Sequence, residues 1–416
     1  MNLTQVRDQF PITRRYAYLN HASVSGLSKP VVGAMTRYLT ERGQSGSEAL
    51  TKWDEEIERV RQASARFVGA HRDEIAFTGS ISHGLNIVAC GLDWRDGDNL
   101  ICAETEFTAN IYPWTNLQRR GVEVRFAPAR ENRILVEDMA SLMDRRTRLV
   151  AISFVEFQSG YRNDLDALAA LCHAQGAYLC VDGIQGLGAL QFSVAQTPVD
   201  FVAAHTAKWM LGPIGAGFLY VRRELLQVLD PVMAGWRSIV DRDDYFKYDS
   251  PLRESGERYE PGSPNFAGLL GMEAAIELLL SVGMDKIETR ILSLTDYLIA
   301  GLQARGCTID TPISHRCERS GIISFRHPEV DSAELCEQLH AEGVIVSLRG
   351  DLIRVSPHFY NIEDDLDRLL TALPQKHRTE ITTCEGSDRA GLPGLGGIPC
   401  QRGTGSGDLP HLGAAL

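Results

Sequence analysis

Strand-like and helix-like segments alternate through the middle of this chain of 416 residues. Short apolar runs, such as residues 99–104, 147–155 and 177–182, are separated by longer stretches in which apolar residues recur at helical spacing. Parallel strands need long connections of this kind, because tight turns join only antiparallel strands. The alternation therefore predicts an α/β chain built on a mainly parallel, doubly wound sheet.

Charged side chains follow two of the apolar runs. Asp182 ends one run and is followed three residues later by Gln185, whereas Lys208 comes after the run 200–204 and before a glycine-rich turn. Ligands of open α/β sheets bind beyond the carboxyl ends of the strands, so both charges are expected in one crevice. Taken singly, Lys208 also fits a surface lysine and Asp182 a helix cap. Together they indicate pyridoxal phosphate, which requires an amine for a Schiff base and an acid opposite its ring nitrogen.

Small polar residues stand between a predicted strand at 74–78 and a predicted helix at 82–92. Gly79, Ser80 and Ser82 lie around the first turn of that helix, where backbone N–H groups have no helical partner. Such a turn can hold a phosphate group. A plain serine cap explains the same residues, so this segment alone leaves both interpretations open.

Composition narrows the classes of partner and compartment. The formal net charge of −12 arises from mixed signs, without the basic stripe that nucleic-acid phosphates require. The nine cysteines are scattered, odd in number and never in a C-x-x-C spacing, which favours a reducing compartment. No run approaches the roughly 20 apolar residues of a membrane span. We therefore expect a cytoplasmic protein with no nucleic-acid partner, no membrane contact and no metal site.

The second half of the chain changes character twice. The pattern loosens after Tyr220, and a helical stretch from Phe266 to about Gln303 then leads into short strands and helices. These features predict a large domain at 26–264 and a smaller α+β domain at 265–373, against which an N-terminal arm, 1–25, packs. Residues 374–416 are rich in glycine and proline and almost without aromatic residues, so they are predicted to be a disordered tail.

A series of motifs, in order from about Asn20 to Leu373, resembles one family. The motifs are YLNHAS, FTGSISHGLN, EFTANIYPW, VDGIQG, HTAKWMLGPIGAGFLY, RYEPGSPN and IRVSPHFYN. They are similar to the class V aminotransferase group of fold type I pyridoxal phosphate enzymes, which includes cysteine desulfurases, carbon–sulfur lyases, kynureninase and isopenicillin N epimerase-like proteins. The resemblance implies a large domain with a mainly parallel, seven-stranded sheet, a smaller C-terminal domain, and a homodimer with shared active sites.

The resemblance also implies roles for individual residues. Lys208 forms the Schiff base and moves protons at the α-carbon, Asp182 pairs with the pyridinium nitrogen, Gln185 bonds the ring oxygen and Phe107 stacks on the ring. The implied phosphate ligands are Ser80, Ile81 through its backbone, Ser82, His205 and, from the neighbouring subunit, Ser263. The implied substrate-binding residues are Asn20, His21, Ala22 and Arg354, of which the arginine grips the α-carboxylate.

Two departures from the cysteine desulfurases shape the functional expectation. Those enzymes carry a nucleophilic cysteine shortly before the carboxylate-binding arginine, but no cysteine lies between Cys336 and Arg354 here. They also stack a histidine on the ring, where this chain has Phe107. We therefore expect an enzyme that acts at the α- and β-carbons of an amino acid, as a desulfurase-like carbon–sulfur lyase lacking the persulfide cysteine. An isopenicillin N epimerase-like activity and a class V aminotransferase activity are the alternatives.

Hypotheses from other classes fit the sequence less well. GIQGLG or GPIGAG could be the glycine loop of a nucleotide-binding dehydrogenase, but neither has the G-x-G-x-x-G order, and no G-x-x-x-x-G-K-[ST] motif occurs. A binding protein that had lost activity would have no need to keep every cofactor position filled. A protein preparation without colour and insensitive to borohydride would favour either alternative.

Overall fold

The computed structural model describes residues 3–374 and places a seven-stranded sheet at the centre of the large domain. The strands are β1 (Ala17–Tyr18), β2 (Ile75–Thr78), β3 (Asn99–Ala103), β4 (Glu123–Ala127), β5 (Ala129–Arg130), β6 (Arg133–Ile134), β7 (Thr147–Ser153), β8 (Tyr178–Asp182), β9 (Phe201–His205), β10 (Gly217–Val221), β11 (Thr308–Ile309), β12 (Ile323–Arg326), β13 (Val344–Ile345), β14 (Ser347–Arg349) and β15 (Leu352–Val355). The helices are α1 (Leu3–Arg7), α2 (Lys29–Ser45), α3 (Leu50–Val68), α4 (Ile81–Gly91), α5 (Tyr112–Thr115), α6 (Val136–Leu142), α7 (Leu165–Ala174), α8 (Phe266–Val282), α9 (Met284–Ala304), α10 (Ser332–Ala341) and α11 (Glu363–Ala372).

The order of the central sheet is β2-β10-β9-β8-β7-β3-β4. Strand β10 runs antiparallel to both of its neighbours, and the remaining pairs are parallel. The expectation of a mainly parallel, seven-stranded α/β sheet is confirmed. Because six strands point the same way, their carboxyl ends meet at one edge of the sheet, where ligands of such sheets bind.

Both faces of this sheet are buried, which explains why its strands read as continuous apolar runs. Alternate residues face opposite sides, so Ile101 and Val150 join the core on one face while Leu100 and Leu149 join the core on the other. This burial fixes the register of the strands, and with it the position of each residue that follows a strand at the carboxyl edge.

The smaller C-terminal domain contains a four-stranded antiparallel sheet of order β11-β12-β15-β14. Strand β1 pairs with β13, and Ala17 and Leu19 lie in the apolar core formed by helices α9, α10 and α11. The N-terminal segment thus packs on the small domain. The boundaries at residues 25, 264 and 373 remain predictions, since the described residues belong to one compact unit.

One stretch that was predicted as helical is broken. The stretch from Phe266 to Gln303 consists of α8 and α9, which meet at an angle of 80° at Gly283, whose φ of +95° cannot continue a helix. Residues 108–120 form the short helix α5 between two 3₁₀ turns. Within the described range no single helix is long and apolar enough to cross a membrane; only the bent pair α8–α9 reaches that length and hydropathy. The predicted tail from residue 375 onward lies outside the described residues.

Candidate active site

Lys208 lies in a tight turn beyond the carboxyl end of β9. The turn continues through Leu211, which has a φ of +59° although it is not a glycine. This left-handed conformation costs about 1–2 kcal/mol in an L-residue, so the surrounding contacts must hold it. The Thr206 hydroxyl contributes by bonding the carbonyl groups of Pro213 and Ala216 at 2.6 and 2.9 Å.

Residues distant in sequence fix the same turn from outside. The Ser25 N–H donates to the Ala207 carbonyl at 2.8 Å, and the Ser25 hydroxyl donates to the carbonyl of Lys208 at 2.6 Å. From the small domain, His358 Nε2 bonds the carbonyl of Trp209 at 2.9 Å. The lysine backbone is therefore clamped between the N-terminal arm and the small domain.

Asp182 ends β8, the strand adjacent and parallel to β9. Its side chain is fully buried, and one carboxylate oxygen accepts the Ile184 N–H at 2.9 Å. The other, Oδ2, has no hydrogen-bond partner among residues 3–374. Burial raises the Asp182 pKa to about 6, and the charge of Lys208 acts in the opposite direction. A buried carboxylate oxygen without a partner fits a protonated ring nitrogen.

The Lys208 amine shares its surroundings with both acidic and basic groups. Burial lowers the pKa of Lys208 to about 8, helped by the positive charges of Arg354 and Arg349, while Asp182 raises it. The Nζ atom lies 5.6 Å from the centre of the Phe107 ring. That ring is 44% exposed and meets the ring of Phe157 edge-on, so a face remains free for a flat cofactor.

Arg354 lies on β15 and is fully buried. Its Nη1 donates to the Phe157 carbonyl at 2.7 Å, whereas Nε and Nη2 have no partner in the described part of the chain. Burial and the charge of Arg349 lower the Arg354 pKa to about 9. Nε and Nη2 together form the bidentate edge of a guanidinium, so this arginine offers an unused site for a carboxylate.

The first turn of α4 presents the predicted phosphate ligands. The Ser80 hydroxyl caps the helix by accepting the His83 N–H at 3.1 Å, so Ser80 itself serves as the N-cap. The N–H groups of Ile81 and Ser82 belong to the first turn, which has no helical acceptor for them. This turn fits a phosphate through its backbone and the exposed Ser82.

Two histidines stand near that turn with one ring nitrogen each available. His205 Nε2 accepts the Gly215 N–H at 3.1 Å, which leaves the ring proton on Nδ1, and burial lowers the His205 pKa to about 4. His83, which the sequence did not single out, accepts the Gly79 N–H through Nδ1, and its buried Nε2 has no partner within residues 3–374. Both neutral rings can donate one hydrogen bond to an anion.

Gln185 is buried between the arm and the turn of Lys208. Its amide nitrogen donates to the Ala22 carbonyl at 3.0 Å, and its amide oxygen accepts the Trp209 indole N–H at 2.8 Å. One amide hydrogen remains for the predicted ring oxygen. Asn20 also contributes a free group, since its buried Oδ1 has no partner among the described side chains and backbone.

His21 and Ala22, which were predicted to bind substrate, both contact the small domain, and their contact with substrate remains a prediction. His21 is fully buried, with Nδ1 bonded to the Ser356 carbonyl at 2.8 Å and Nε2 to the Tyr360 hydroxyl at 2.6 Å. Ala22 is also buried, and its N–H donates to the Ser356 hydroxyl at 3.0 Å. Because neither ring nitrogen nor the alanine N–H is free, both residues tie the arm to the small domain.

Ser263 is exposed on the wall of a cavity of about 300 Å³, which is also lined by Gly79, His83 and Gly215. The serine therefore lies close to the predicted phosphate-binding turn of its own chain. Its predicted contact with the phosphate of a neighbouring subunit remains a prediction.

Two buried carboxyl groups near Asp182 were not singled out from the sequence. Glu106 accepts hydrogen bonds from the backbone and hydroxyl of Ser153, and Glu156 accepts from Thr105 and Asn163. Burial raises the pKa of Glu156 to about 7 and that of Glu106 well above its usual range, and the charge of Asp182 raises both further. The position of each glutamate just after a strand was the available signal.

Comparison with known proteins agrees with this arrangement. The family model for aminotransferase class V matches residues 17–369. The cysteine desulfurase of Salmonella typhimurium is 31% identical over 408 residues, covering 90% of this chain and 98% of the relative. A probable cysteine desulfurase of Methanothermobacter thermautotrophicus is 29% identical and covers 89% of this chain and 96% of the relative.

Solved structures share the fold over nearly the whole described chain. The apo structure of a cysteine desulfurase from Thermococcus onnurineus is 26% identical, with a TM-score of 0.82, and covers 88% of this chain and 96% of that one. A variant of C-DES with glycine covalently linked to its pyridoxal phosphate is 25% identical, with a TM-score of 0.81, and covers 88% and 98%. The chain belongs to the class V aminotransferase family, and it is a pyridoxal phosphate-dependent, cysteine desulfurase-like enzyme of fold type I.

Proposed function

We propose that this enzyme cleaves the carbon–sulfur bond of a cysteine-derived amino acid by β-elimination and does not pass the sulfur to a cysteine of its own. The observation that carries the proposal is the short connection before Arg354. Strands β14 and β15 are joined through Gly350 and Asp351 alone, so no cysteine-bearing loop reaches the site at this point.

Cys336 is the cysteine nearest in sequence before that hairpin, and it is poorly suited to accept sulfur. It is 8% exposed within α10, with its Sγ 3.9 Å from His340 Nε2. Burial raises its pKa, although the charge of Arg349 acts the other way. Since the thiolate is the nucleophile, a buried thiol of raised pKa favours a structural role.

Each residue of the site has a separate role in the proposed β-elimination. When bound, pyridoxal phosphate supplies an electron sink for charge that develops at the α-carbon. Arg354 holds the α-carboxylate, and Asp182 keeps a negative charge opposite the ring nitrogen. The Lys208 amine, whose pKa is lowered to about 8 so that a substantial fraction is neutral near that pH, accepts the α-proton, and the electron pair then expels sulfur as a thiolate. Addition of water to the remaining carbon skeleton releases pyruvate and ammonia.

The proposal is tested by product analysis of the holoenzyme with L-cysteine, L-cystine and S-alkyl cysteines. We expect pyruvate, ammonia and the sulfur product in equal amounts, the last being sulfide from L-cysteine, persulfide from L-cystine and thiol from S-alkyl cysteines. We expect a Cys336→Ala variant to keep its rate within about twofold. Formation of alanine together with a persulfide on a protein cysteine would contradict the proposal. Incorporation of solvent deuterium at the α-carbon without consumption of substrate would instead support the epimerase, and dependence on a keto acid the aminotransferase.

We also propose a homodimer with shared active sites, working in the cytoplasm. Exposed aromatic side chains support an interface: Tyr245, Phe246 and Tyr248 are 69%, 87% and 93% exposed. The seven cysteines of the described chain are unpaired, in keeping with a reducing compartment. Light scattering should give about twice the chain mass of 45.9 kDa. A monomeric mass with full activity would exclude shared sites.

A further inference from the structure

A second arginine lies beside Arg354 on the same face of the small sheet. In the β14–β15 pair, Ser347 is directly opposite Arg354, and Arg349 is opposite Leu352. Directly paired residues and residues two apart in a strand share a face. Arg349 is therefore the diagonal neighbour of Arg354, at the spacing of about 7–8 Å that diagonal pairs have in antiparallel sheets.

Arg349 has no acidic partner among the side chains that the structure describes. Its Nη1 donates to the Leu348 carbonyl at 2.8 Å, and it forms no ion pair with a carboxylate in the described part of the chain. The acidic residue nearest in sequence is Asp351. Its carboxylate forms an ion pair of 2.8 Å with Arg326, which lies on β12. Arg349 is half-buried, and burial lowers its pKa. The hairpin therefore presents a cation that no carboxylate of residues 3–374 pairs with.

The hydroxyl of Ser347 is a second unsatisfied group on this face. Ser347 is 8% exposed, and its Oγ has no hydrogen-bond partner among residues 3–374. Most buried hydroxyl groups in proteins are hydrogen-bonded, because leaving one unpaired costs about 1–3 kcal/mol. A free hydroxyl between two guanidinium groups is suited to donate to a bound anion.

The hairpin faces the reaction site. A Cβ placed on Gly350, at its tip, would lie 3.8 Å from the Gln158 side chain, next to Phe157, whose carbonyl orients Arg354. The positive charges of both Arg354 and Arg349 act on Lys208. The hairpin thus carries two cations on the face of Arg354, whereas a simple amino acid supplies one carboxylate.

We propose that Arg349 and Ser347 form a second anion subsite, and that the substrate is an amino acid whose sulfur substituent ends in a second anionic group, a carboxylate or a sulfonate. Fully buried Arg354 takes the α-carboxylate, and the more exposed Arg349 takes the distal group. This inference names the substrate class of the carbon–sulfur lyase and rests on that proposed function.

The test uses two ligands matched in length and shape. S-(2-carboxyethyl)-L-cysteine carries the distal carboxylate, and S-(2-carbamoylethyl)-L-cysteine replaces it by a neutral amide. The Kd of each for the holoenzyme is read from the change in cofactor absorbance, and KM and kcat from thiol release. We expect the carboxylate compound to bind at least about tenfold more tightly than the amide, because only the carboxylate can form a charge-assisted hydrogen bond with Arg349.

Variants of Arg349 test whether the preference for the carboxylate compound arises at the proposed subsite. Arg349→Gln should remove the tenfold preference by raising the Kd and KM of the carboxylate compound, while the Kd and KM of the neutral amide change less than twofold. Arg349→Lys should restore part of it, because lysine keeps the charge but lacks the planar fork. Arg305→Gln, which removes the same charge just after α9, is the matched control and should leave the preference intact.

Several results would overturn the inference. They are equal Kd values of the two ligands for the unaltered enzyme, a preference that survives Arg349→Gln, and a lack of saturable binding of the carboxylate compound. Because binding and turnover are measured separately, failure of the subsite proposal can be distinguished from failure of the proposed lyase function. Tight, Arg349-dependent binding without thiol release would contradict the lyase function and leave the second subsite standing.

Discussion

Replacement of Lys208 by alanine is expected to lower kcat by about 10⁴-fold, the upper end of what a positioned acid–base group contributes. The amine is the group that joins the cofactor and the group that moves the α-proton. The neighbouring Arg354 and Arg349 cannot take over either role, because a guanidinium keeps its protons at neutral pH.

The measurement is the steady-state rate on the best substrate of the panel, with circular dichroism to show that the variant is folded. Lys208→Arg serves as a control, since it keeps the positive charge but removes the amine, and it should be as inactive as the alanine variant. Activity within tenfold of the unaltered enzyme in either variant would refute the assignment of Lys208.

The pH dependence of cofactor capture tests the surroundings of the same amine. Only the neutral amine attacks the aldehyde, and the pKa of Lys208 is lowered to about 8. The capture rate of apoenzyme should therefore rise between about pH 6 and 8 and level off above, whereas an ordinary lysine would keep gaining rate to about pH 10. Asp182 raises the lysine pKa, so Asp182→Asn should move the midpoint to lower pH.

Replacement of Arg354 by glutamine is expected to lower kcat/KM by about 10²–10⁴-fold. The arginine keeps Nε and Nη2 free and uses Nη1 to orient itself on the Phe157 carbonyl. Two charge-assisted hydrogen bonds to the α-carboxylate are lost in the variant, each worth about 1.5–3 kcal/mol.

The amide of a good substrate provides the comparison for Arg354. The unaltered enzyme should prefer the amino acid over its amide strongly, and Arg354→Gln should not distinguish the two. Arg354→Lys should recover only part of the loss, because a lysine cannot bind a carboxylate with two parallel hydrogen bonds. A KM for the amino acid that changes less than twofold would show that another residue holds the carboxylate.

The sequence predicted the parts of the fold that follow from local pattern. Apolar runs separated by helical stretches predicted a mainly parallel sheet. The structure confirms this prediction. The antiparallel direction of β10 could not be read in this way, because an apolar run has no direction. The break at Gly283 was missed because the glycine lies within an otherwise continuous helical pattern, and its positive φ depends on how α8 and α9 pack.

Within the site, the proximity of residues that follow strands could be expected from the sequence. Lys208, Asp182 and Phe107 come together because parallel strands share their carboxyl edge. The burial of His21 depends on Tyr360, which is 339 residues away along the chain, and no local pattern reveals that contact. Arg349 was not predicted from the sequence for a similar reason. Its place on the same face as Arg354 depends on the register of the β14–β15 pair.

The central claim is that the Lys208 amine holds the cofactor opposite Asp182. It is tested most directly by reducing the holoenzyme with borohydride, digesting it and locating the added cofactor by mass spectrometry. We expect one adduct, on the peptide that contains Lys208, and none in Lys208→Ala. An adduct on any other lysine, or a coloured holoenzyme that forms no adduct, would contradict the account.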